Sequence, residues 1–271
     1  MKTKKFFISL LAILTLGVSV AGMSACDMGN GDKPSDSTTI SAPENSEETS
    51  SKENLSDREE GSEGLSYDLS ADRTYCIVSG LGYCTDLEII IPSTHKNLPV
   101  KEIGERAFFG CSSFIEIIIP DSVTIIGSDA FGGCSSLTKI IIPNSVISIG
   151  DSAFWGCINL TDLYYTGDIN DWFEITFEDI TSNPMGYAKN SYFNNQSVKE
   201  IAEVSVPDTI TEIKDYTFVN HNIKTIIIPS TVKYISDYAF AYCYNLETCE
   251  IPEGVEYNNS IFIATELYEE N

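Results

Sequence analysis

Cysteine is the residue type of this chain with the most regular spacing. Cys111, Cys134 and Cys157 lie 23 residues apart, and Cys243 holds the same place in a later copy of the surrounding pattern. If the copies stack, neighbouring cysteines come within disulfide range, with Cα atoms roughly 4.4–6.8 Å apart. A thiol is also a small hydrophobe, and free cysteine is among the most buried residue types. The repeated position therefore favours core packing over disulfide formation.

The other cysteines are less regularly placed. Cys249 stands where the pattern wants an inward isoleucine, so we expect it in the core. Cys76 and Cys84 are the pair expected to bridge if any cysteines do. Seven cysteines follow Cys26, so at least one of them must be unpaired.

The chain has few histidines for acid/base catalysis or metal binding. The only histidines are His95 and His221, and His221 replaces a repeat cysteine. A metal or acid/base role needs a second histidine or paired carboxylates, which the repeat does not place, so a structural role is favoured. The sequence also contains no Gly-x-Ser-x-Gly motif, no phosphate loop and no Cys-x-x-Cys.

A short acidic segment begins like a calcium loop. Residues 168–171 read Asp-Ile-Asn-Asp, but Trp172 and Phe173 then occupy places that need a ligand and a glycine. The segment therefore fails the EF-hand pattern.

We expect no catalytic residue, no cofactor and no metal ion, and we expect that the protein is not an enzyme.

Charge narrows the class of partner. The 271 residues include 40 Asp and Glu against 16 Lys and Arg, a formal net charge of −24. Nucleic acid binding needs clustered basic residues, as does adsorption to an anionic membrane surface. Both partners are therefore disfavoured, whereas a hydrophobic share of 42% is enough for a folded core.

The N-terminus has the order of a secretory signal. Lys2, Lys4 and Lys5 precede an almost wholly apolar run, residues 6–21, which is too short to span a membrane. The following Met-Ser-Ala-Cys, ending at Cys26, resembles a bacterial lipobox. We predict a signal peptide at residues 1–25 and a lipid on Cys26, which would hold the protein on the outer face of the cell membrane. The alternative is a plain signal peptide with an incidental cysteine.

An acidic segment follows, and we predict that residues 26–65 form a disordered tether. Residues 27–64 carry eleven acids, three basic residues, eight serines and no aromatic residue. Such a segment has too little apolar surface to offset the entropy of ordering, and its charges repel one another.

The rest of the chain, residues 66–271, is built from a repeat. Pro120 and Pro143 each end an isoleucine triplet and lie 23 residues apart, as do Pro229 and Pro252. Each unit reads Leu-x-x-Ile-x-Ile-Pro-x-x-Val-x-x-Ile-Gly-x-x-Ala-Phe-x-x-Cys. Short β-branched runs ended by proline favour strands, and no unit closes a core alone. The pattern predicts a β-rich solenoid with 23-residue rungs and parallel strands, in which Phe131 and Phe154 are buried in neighbouring rungs.

These units resemble the BspA-type leucine-rich repeat family over about residues 66–259. Residues 75–93, with Gly80-Leu81-Gly82 and Cys84, are similar to the leading segment common in that family. The resemblance implies a leucine-rich repeat fold and a non-enzymatic surface protein, often linked to adhesion or to binding proteins of a host or neighbouring cell.

Two regions depart from the repeat. Residues 160–165 fit one more strand, but residues 166–200 form an irregular segment, in which we expect Asp168 to cap a short helix through Trp172 and Asn194-Asn195 to form a turn. In a later unit Thr217 replaces alanine, Lys214 replaces glycine and His221 replaces cysteine. We expect that unit to be the weakest packed.

Two sets of apolar residues are candidates for a binding surface. Strand alternation should turn the middle residue of each triplet outward, and such a column is either a recognition face or additional core under a cover. Its members are Ile90, Ile118, Ile141 and Ile227, with Glu88, Glu116 and Lys139 as polar flanks. The second set is a group of eight aromatic residues, most of which should pack the irregular segment while a minority serve as exposed anchors. They are Tyr164, Tyr165, Trp172, Phe173, Phe177, Tyr187, Tyr192 and Phe193. Phe109 and Trp155, in the variable place after Ala-Phe, should be exposed.

The sequence leaves three functional hypotheses. The first is a lipid-anchored surface protein that binds a protein partner or mediates adhesion. The second is a structural envelope component without a specific ligand, and the least favoured is an enzyme or an enzyme inhibitor. The repeat does not name the partner, because a fold does not specify a function.

Overall fold

The computed structural model describes residues 4–7, 61–197, 203–221 and 223–265. Cys26 and most of the predicted signal peptide and tether lie outside the described residues. The remainder confirms the predicted architecture, a β-solenoid of about seven turns with parallel strands, little helix and a rung length of about 23 residues.

The isoleucine triplets form one long parallel sheet, because β-branched residues fit the pleated surface and each proline ends the run. Its strands pair in register, so that equivalent residues of successive repeats lie side by side. A short antiparallel strand closes its far edge. In spatial order the sheet contains β14 (Gln196–Ser197), β13 (Asn190–Phe193), β11 (Asp162–Tyr165), β9 (Lys139–Ile142), β7 (Glu116–Ile118) and β4 (Glu88–Ile90).

A second sheet of mostly shorter strands lies on the other side of the same rungs. It begins with an antiparallel pair at the N-terminal end and continues in parallel. Its strands are β12 (Thr176–Phe177), β10 (Ser148–Ile149), β8 (Ile125–Ile126), β6 (Leu98–Ile103), β3 (Cys76–Gly80) and β2 (Ser66–Leu69), with β5 (Thr94–His95) antiparallel to β6.

The C-terminal repeats form two further sheets. One contains β15 (Glu203–Ser205), β17 (Thr225–Ile227), β19 (Thr248–Ile251) and, antiparallel to β19, β1 (Lys4–Phe7). The other pairs β16 (Glu212–Ile213) with β18 (Tyr234–Ile235) in parallel. The described chain ends after a 3₁₀ helix, Asn259–Phe262.

The core follows this division. One apolar cluster contains residues of 65–193, here called the first block, and a second contains mainly residues of 204–262, the second block. In the first block Phe108, Phe131 and Phe154 are fully buried and stack with ring centroids 5.4 and 5.3 Å apart. The predicted burial of Phe131 and Phe154 in neighbouring rungs is confirmed.

The repeat cysteines form a ladder of thiols. All seven described cysteines are free, so Cys76 and Cys84 do not bridge. Each buried repeat thiol donates a hydrogen bond to a phenylalanine carbonyl oxygen in the preceding rung: Cys134 to Phe108 at 3.0 Å and Cys157 to Phe131 at 3.2 Å. The expected core role of these two cysteines is confirmed.

Residues 166–200 are more regular than predicted. Strand β12 continues the second sheet and β13 continues the long sheet, so this segment completes a turn of the solenoid. Phe177 and Phe193 are buried where other rungs place isoleucine. The period fails here because the connections differ in length, while the inward apolar positions persist.

The predicted helix and turn in this segment are confirmed. Asp168 caps α1 (Ile169–Trp172), accepting bonds from the Asn170 and Asp171 amides, and Asp171 completes a capping box. Asn194 and Asn195 have φ angles of 46° and 62°, which asparagine tolerates better than most residues, and they turn the chain between β13 and β14.

Side chains of this segment also bind the second block. The Trp172 indole Nε1 donates to the Thr217 carbonyl oxygen at 3.0 Å, and Asn183 Nδ2 donates to the Tyr216 carbonyl oxygen at 2.8 Å. Both donors are buried, so the two bonds satisfy polar groups that burial would otherwise penalise.

Candidate recognition surfaces

The outer face of the long sheet carries a column of apolar and aromatic side chains. Strand pairing places Ile90, Ile118, Ile141, Tyr164 and Tyr192 side by side. Their chain neighbours on β7, β9 and β11 point inward and belong to the core of the first block. We call these five residues the outer column.

Exposure varies along the outer column. Ile118 and Ile141 are 9% and 3% exposed, although neither belongs to the two core clusters, and Ile90 is half-buried. Each of the two buried side chains has an in-register neighbour on both sides, about 4.8 Å away. Of the two alternatives given by the sequence, the burial of Ile118 and Ile141 fits the covered column.

Ile227 does not belong to this column. It lies on β17 in a different sheet, between Ser205 and Glu250 in register, and it is 38% exposed. The prediction that all four isoleucines share one set of near-consecutive strands is wrong, because the long sheet ends at β14 before the second block begins.

A polar row flanks the outer column two residues earlier on each strand. The Lys139 ammonium lies 2.9 Å from Glu116 Oε1, and Asn190 Nδ2 donates to Asp162 Oδ1 at 2.9 Å. Lys139 Nζ also lies 5.2 Å from the centre of the Tyr164 ring. These contacts hold the polar groups in place beside the aromatic end of the column.

Tyr164 and Tyr192 form that aromatic end. Their rings stack with centroids 4.5 Å apart, and both side chains are half-buried. Burial, and secondarily the nearby carboxylate of Asp162, raises the pKa of Tyr164, and burial also raises the pKa of Tyr192. Both phenols are protonated at neutral pH, and side-chain hydrogen bonds join Tyr192 to Tyr164 and to Asp162.

The sequence places both tyrosines among the aromatic residues of 164–193 but does not predict that they pair. Tyr164 holds the middle position of the strand predicted at residues 160–165, so alternation alone would have placed it outward. Tyr192 has no such signal, because β13 lies where the spacing of the repeat fails.

A second surface lies on the turns that follow Ile-Gly in the first block. Phe109 and Trp155 occupy equivalent places in the turns of residues 105–110 and 151–156, and they are 39% and 54% exposed. Their predicted exposure is confirmed. The Arg106 guanidinium lies over the Phe109 ring, 3.9 Å from its centre.

The buried thiols and the buried histidine are poorly suited to chemistry. Burial raises the pKa values of Cys157 and Cys243 to about 12, so neither forms a reactive thiolate near neutral pH. Burial lowers the pKa of His221 to about 4, and its Nδ1 atom has no hydrogen-bond partner. Among the described residues no group of three or more His, Cys, Asp or Glu side chains is arranged to hold a metal ion.

Helix length and apolar character decide whether a helix could cross a membrane. Within the described residues, no helix has the length and apolar character needed to cross a membrane.

The repeats of this chain match a known family of repeats. A family model described as the BspA type leucine rich repeat region, with six copies, matches residues 101–201 and 182–270, more than half of the chain. The chain belongs to the BspA-type leucine-rich repeat family. Repeats of this kind generally mediate protein–protein interaction. No curated protein matches the chain.

Several solved bacterial structures are similar to the chain. A leucine-rich repeat protein of T. pallidum is 20% identical, with a TM-score of 0.42, covering 73% of this chain and 92% of that one. A leucine-rich repeat protein of Bacteroides ovatus is 26% identical, with a TM-score of 0.45, covering 68% and 44%. A leucine rich cell surface protein of Faecalibacterium prausnitzii is 23% identical, with a TM-score of 0.41, covering 69% and 52%. The chain thus spans about half of the last two proteins.

Proposed function

We propose that this protein is a non-catalytic binding module of the cell surface, held to the membrane by a lipid on Cys26, and that it binds a protein partner through the aromatic end of the outer column, Tyr164 and Tyr192. The observation that carries the proposal is the Tyr164–Tyr192 pair with its ordered polar flank. Membership of a family whose repeats generally mediate protein–protein interaction supports it.

The chemistry of this face suits a protein partner. Tyrosine combines a large apolar ring with a hydroxyl group and is enriched among residues that dominate binding energy. Lys139, Glu116, Asp162 and Asn190 are already held by bonds to one another, so less side-chain entropy is lost when a partner docks.

The predicted anchor and tether fit this role. A lipid on Cys26, followed by an acidic tether to residue 65, would keep the repeat domain away from the membrane. Repulsion between the tether charges would keep it extended. In this arrangement the partner is a protein on a host or neighbouring cell.

The recognition face is tested by capture from membrane extracts of host or neighbouring cells. The Tyr164→Ser/Tyr192→Ser double variant should lose the proteins that the unchanged chain retains. Tyr234→Ser is the matched control, because Tyr234 is an exposed tyrosine on β18, outside the long sheet. Equal capture by all three proteins would overturn the proposal.

The anchor is tested separately. Cys26→Ser should release the protein from the membrane fraction and change its electrophoretic mobility. If the variant stays membrane-bound with unchanged mobility, Cys26 does not carry the lipid.

A further inference from the structure

One turn of the first block contains an internal cation–aromatic contact. The Arg106 guanidinium lies 3.9 Å from the centre of the Phe109 ring, and Arg106 Nη1 lies 3.5 Å from Asp129 Oδ2 of the next rung. The arginine thus joins an exposed ring to a carboxylate.

The turn two rungs later has the same backbone. Arg106 and Ser152 have φ angles of 57° and 56°. In each turn the aromatic residue three positions later donates its amide to the carbonyl oxygen of that residue, from Phe109 to Arg106 and from Trp155 to Ser152, both at 3.0 Å. Trp155 is therefore the counterpart of Phe109, and Ser152 stands in the place of the arginine.

Carboxylates are also present in the later turn. The Asp151 amide donates to Glu178 Oε2 at 3.0 Å, and the Ser152 amide donates to Asp179 Oδ1 at 3.1 Å. A hydrogen bond with Asp179 and repulsion from that carboxylate raise the pKa of Asp151. No lysine or arginine of the described residues pairs with Asp151, Glu178 or Asp179.

We propose that Trp155, with Asp151 in its own turn and Glu178 in the next rung, accepts an arginine side chain from an exposed basic segment of the protein partner. The guanidinium of the partner lies over the Trp155 ring, as the Arg106 guanidinium lies over the Phe109 ring. This inference rests on the proposed protein-binding function and adds the chemistry of the partner to it.

Charge and ring type both favour this occupant. The chain carries a net charge of −24, so a basic segment is attracted over a distance, and tryptophan offers the strongest ring for a cation. The rung between the two turns has Gly132 in the ring position, and a Cβ there would lie 3.0 Å from the Phe109 ring. Phe109 leans over this glycine, whereas Trp155 has no ring or cation contact among the described residues.

A labelled peptide of alternating glycine and arginine tests the proposal, with fluorescence anisotropy of the peptide as the readout at physiological salt. Trp155→Ala should weaken binding about two- to fivefold, since an exposed cation–aromatic contact contributes about that much. The substitution leaves the net charge unchanged. A peptide with citrulline in place of arginine keeps the shape without the charge and should bind more weakly still.

A self-blocking variant makes the test specific to the site. Ser152→Arg places an arginine where the backbone already accepts one at Arg106, so the new side chain should cover Trp155 and weaken peptide binding about two- to fivefold. Ser152→Gln is the matched control, a long neutral side chain that should bind the peptide like the unchanged protein. Melting curves of each variant exclude loss of fold.

Wild-type affinity in either Trp155→Ala or Ser152→Arg, or equal binding of the citrulline peptide, would overturn the inference. Failure here is distinguishable from failure of the proposed function. If the peptide result is negative while the tyrosine double variant still loses its captured protein, the proposed function stands without the arginine site. If capture survives the double variant, the recognition face itself is misassigned.

Discussion

The two blocks build the same rung with different ring spacing. In the first block the stacked rings of Phe108, Phe131 and Phe154 are 5.4 and 5.3 Å apart. In the second block the corresponding distances along Phe218, Phe240 and Phe262 are 6.2 and 6.1 Å. The rings of the second block are therefore less closely packed at the same repeat position.

The two blocks also differ at one small residue per rung. A Cβ at Gly127 would lie 2.7 Å from the Glu105 amide nitrogen, and one at Gly150 would lie 2.5 Å from the Ser128 amide nitrogen. The backbones of neighbouring rungs thus touch where only glycine fits. The second block has Lys214 and Ser236 at these positions. Its rungs are hydrogen-bonded at the same distance as those of the first block, with Phe218 N and Phe131 N each 2.9 Å from a carbonyl oxygen of the next rung, so the wider ring spacing is a difference between side chains.

The largest effect we expect comes from interrupting the closely stacked phenylalanine rings of the first block. Phe131→Ala should lower the free energy of unfolding by about 3–5 kcal/mol, because it leaves a cavity between two stacked rings. Phe240→Ala should cost less, since its ring neighbours are farther away. Urea denaturation measures both, with Phe109→Ala as an exposed control. A near-normal stability of Phe131→Ala would contradict the rung packing described here.

The second block should also be the more sensitive to acid, because of His221. Its native pKa is about 4, below the usual value of about 6.5, so the neutral form is favoured by folding. As the pH falls from about 6.5 towards 4, the unfolded chain binds the proton first, and up to about 3 kcal/mol of stability is lost.

His221→Cys tests this contribution. The variant restores the thiol of the repeat and should flatten the loss of stability between pH 6.5 and pH 4. His95→Gln is the control, because His95 lies at the surface beside Tyr67 and the substitution should leave most of the loss in place. An unchanged pH profile in His221→Cys would assign the acid sensitivity to other groups.

A smaller effect should follow from forcing a side chain between rungs of the first block. Gly127→Ala should cost about 1–3 kcal/mol, as overpacking usually does, because the new Cβ meets fixed backbone. At the equivalent Ser236, Ser236→Ala removes only a hydrogen bond to Glu212 and should cost about 1 kcal/mol or less. Equal costs at both sites would show that this position is no more crowded in the first block than in the second.

How far the sequence could predict the fold also differs between regions. Where the repeat is complete, as around Phe131, the spacing alone gave strand, turn and core positions. Strand β13 was not predicted, because its inward Phe193 follows a connection of different length. The burial of Ile118 and Ile141 was one of two alternatives that the sequence left open, since strand alternation shows which face a side chain occupies but not how far its neighbours on that face cover it.

The arginine site was beyond sequence reasoning for another reason. The exposure of Phe109 and Trp155 followed from their variable position in the repeat. The proposal that Trp155 accepts an arginine depends instead on the position of Arg106 over the Phe109 ring. That contact joins residues of one turn to Asp129 of the next rung. Only the three-dimensional stacking shows that Ser152 leaves an equivalent place without a cation.

The smallest effect concerns a single backbone position and should have opposite signs in the two blocks. The rungs that keep the repeat have a residue with positive φ just before the cysteine position. In the first block this residue is glycine, as at Gly133 with φ 73°, and at the end of the second block it is Ala264 with φ 56°. A Cβ at Gly133 would meet nothing closer than 3.5 Å, so Gly133→Ala tests the backbone conformation without a clash. It should cost about 1 kcal/mol, the usual penalty of a left-handed conformation for a residue with a Cβ. Ala264→Gly should gain up to the same amount by relieving that penalty. Thermal melting with urea denaturation measures both, and a gain from Gly133→Ala, or a loss from Ala264→Gly, would show that unfolded-chain entropy outweighs the strain at this position.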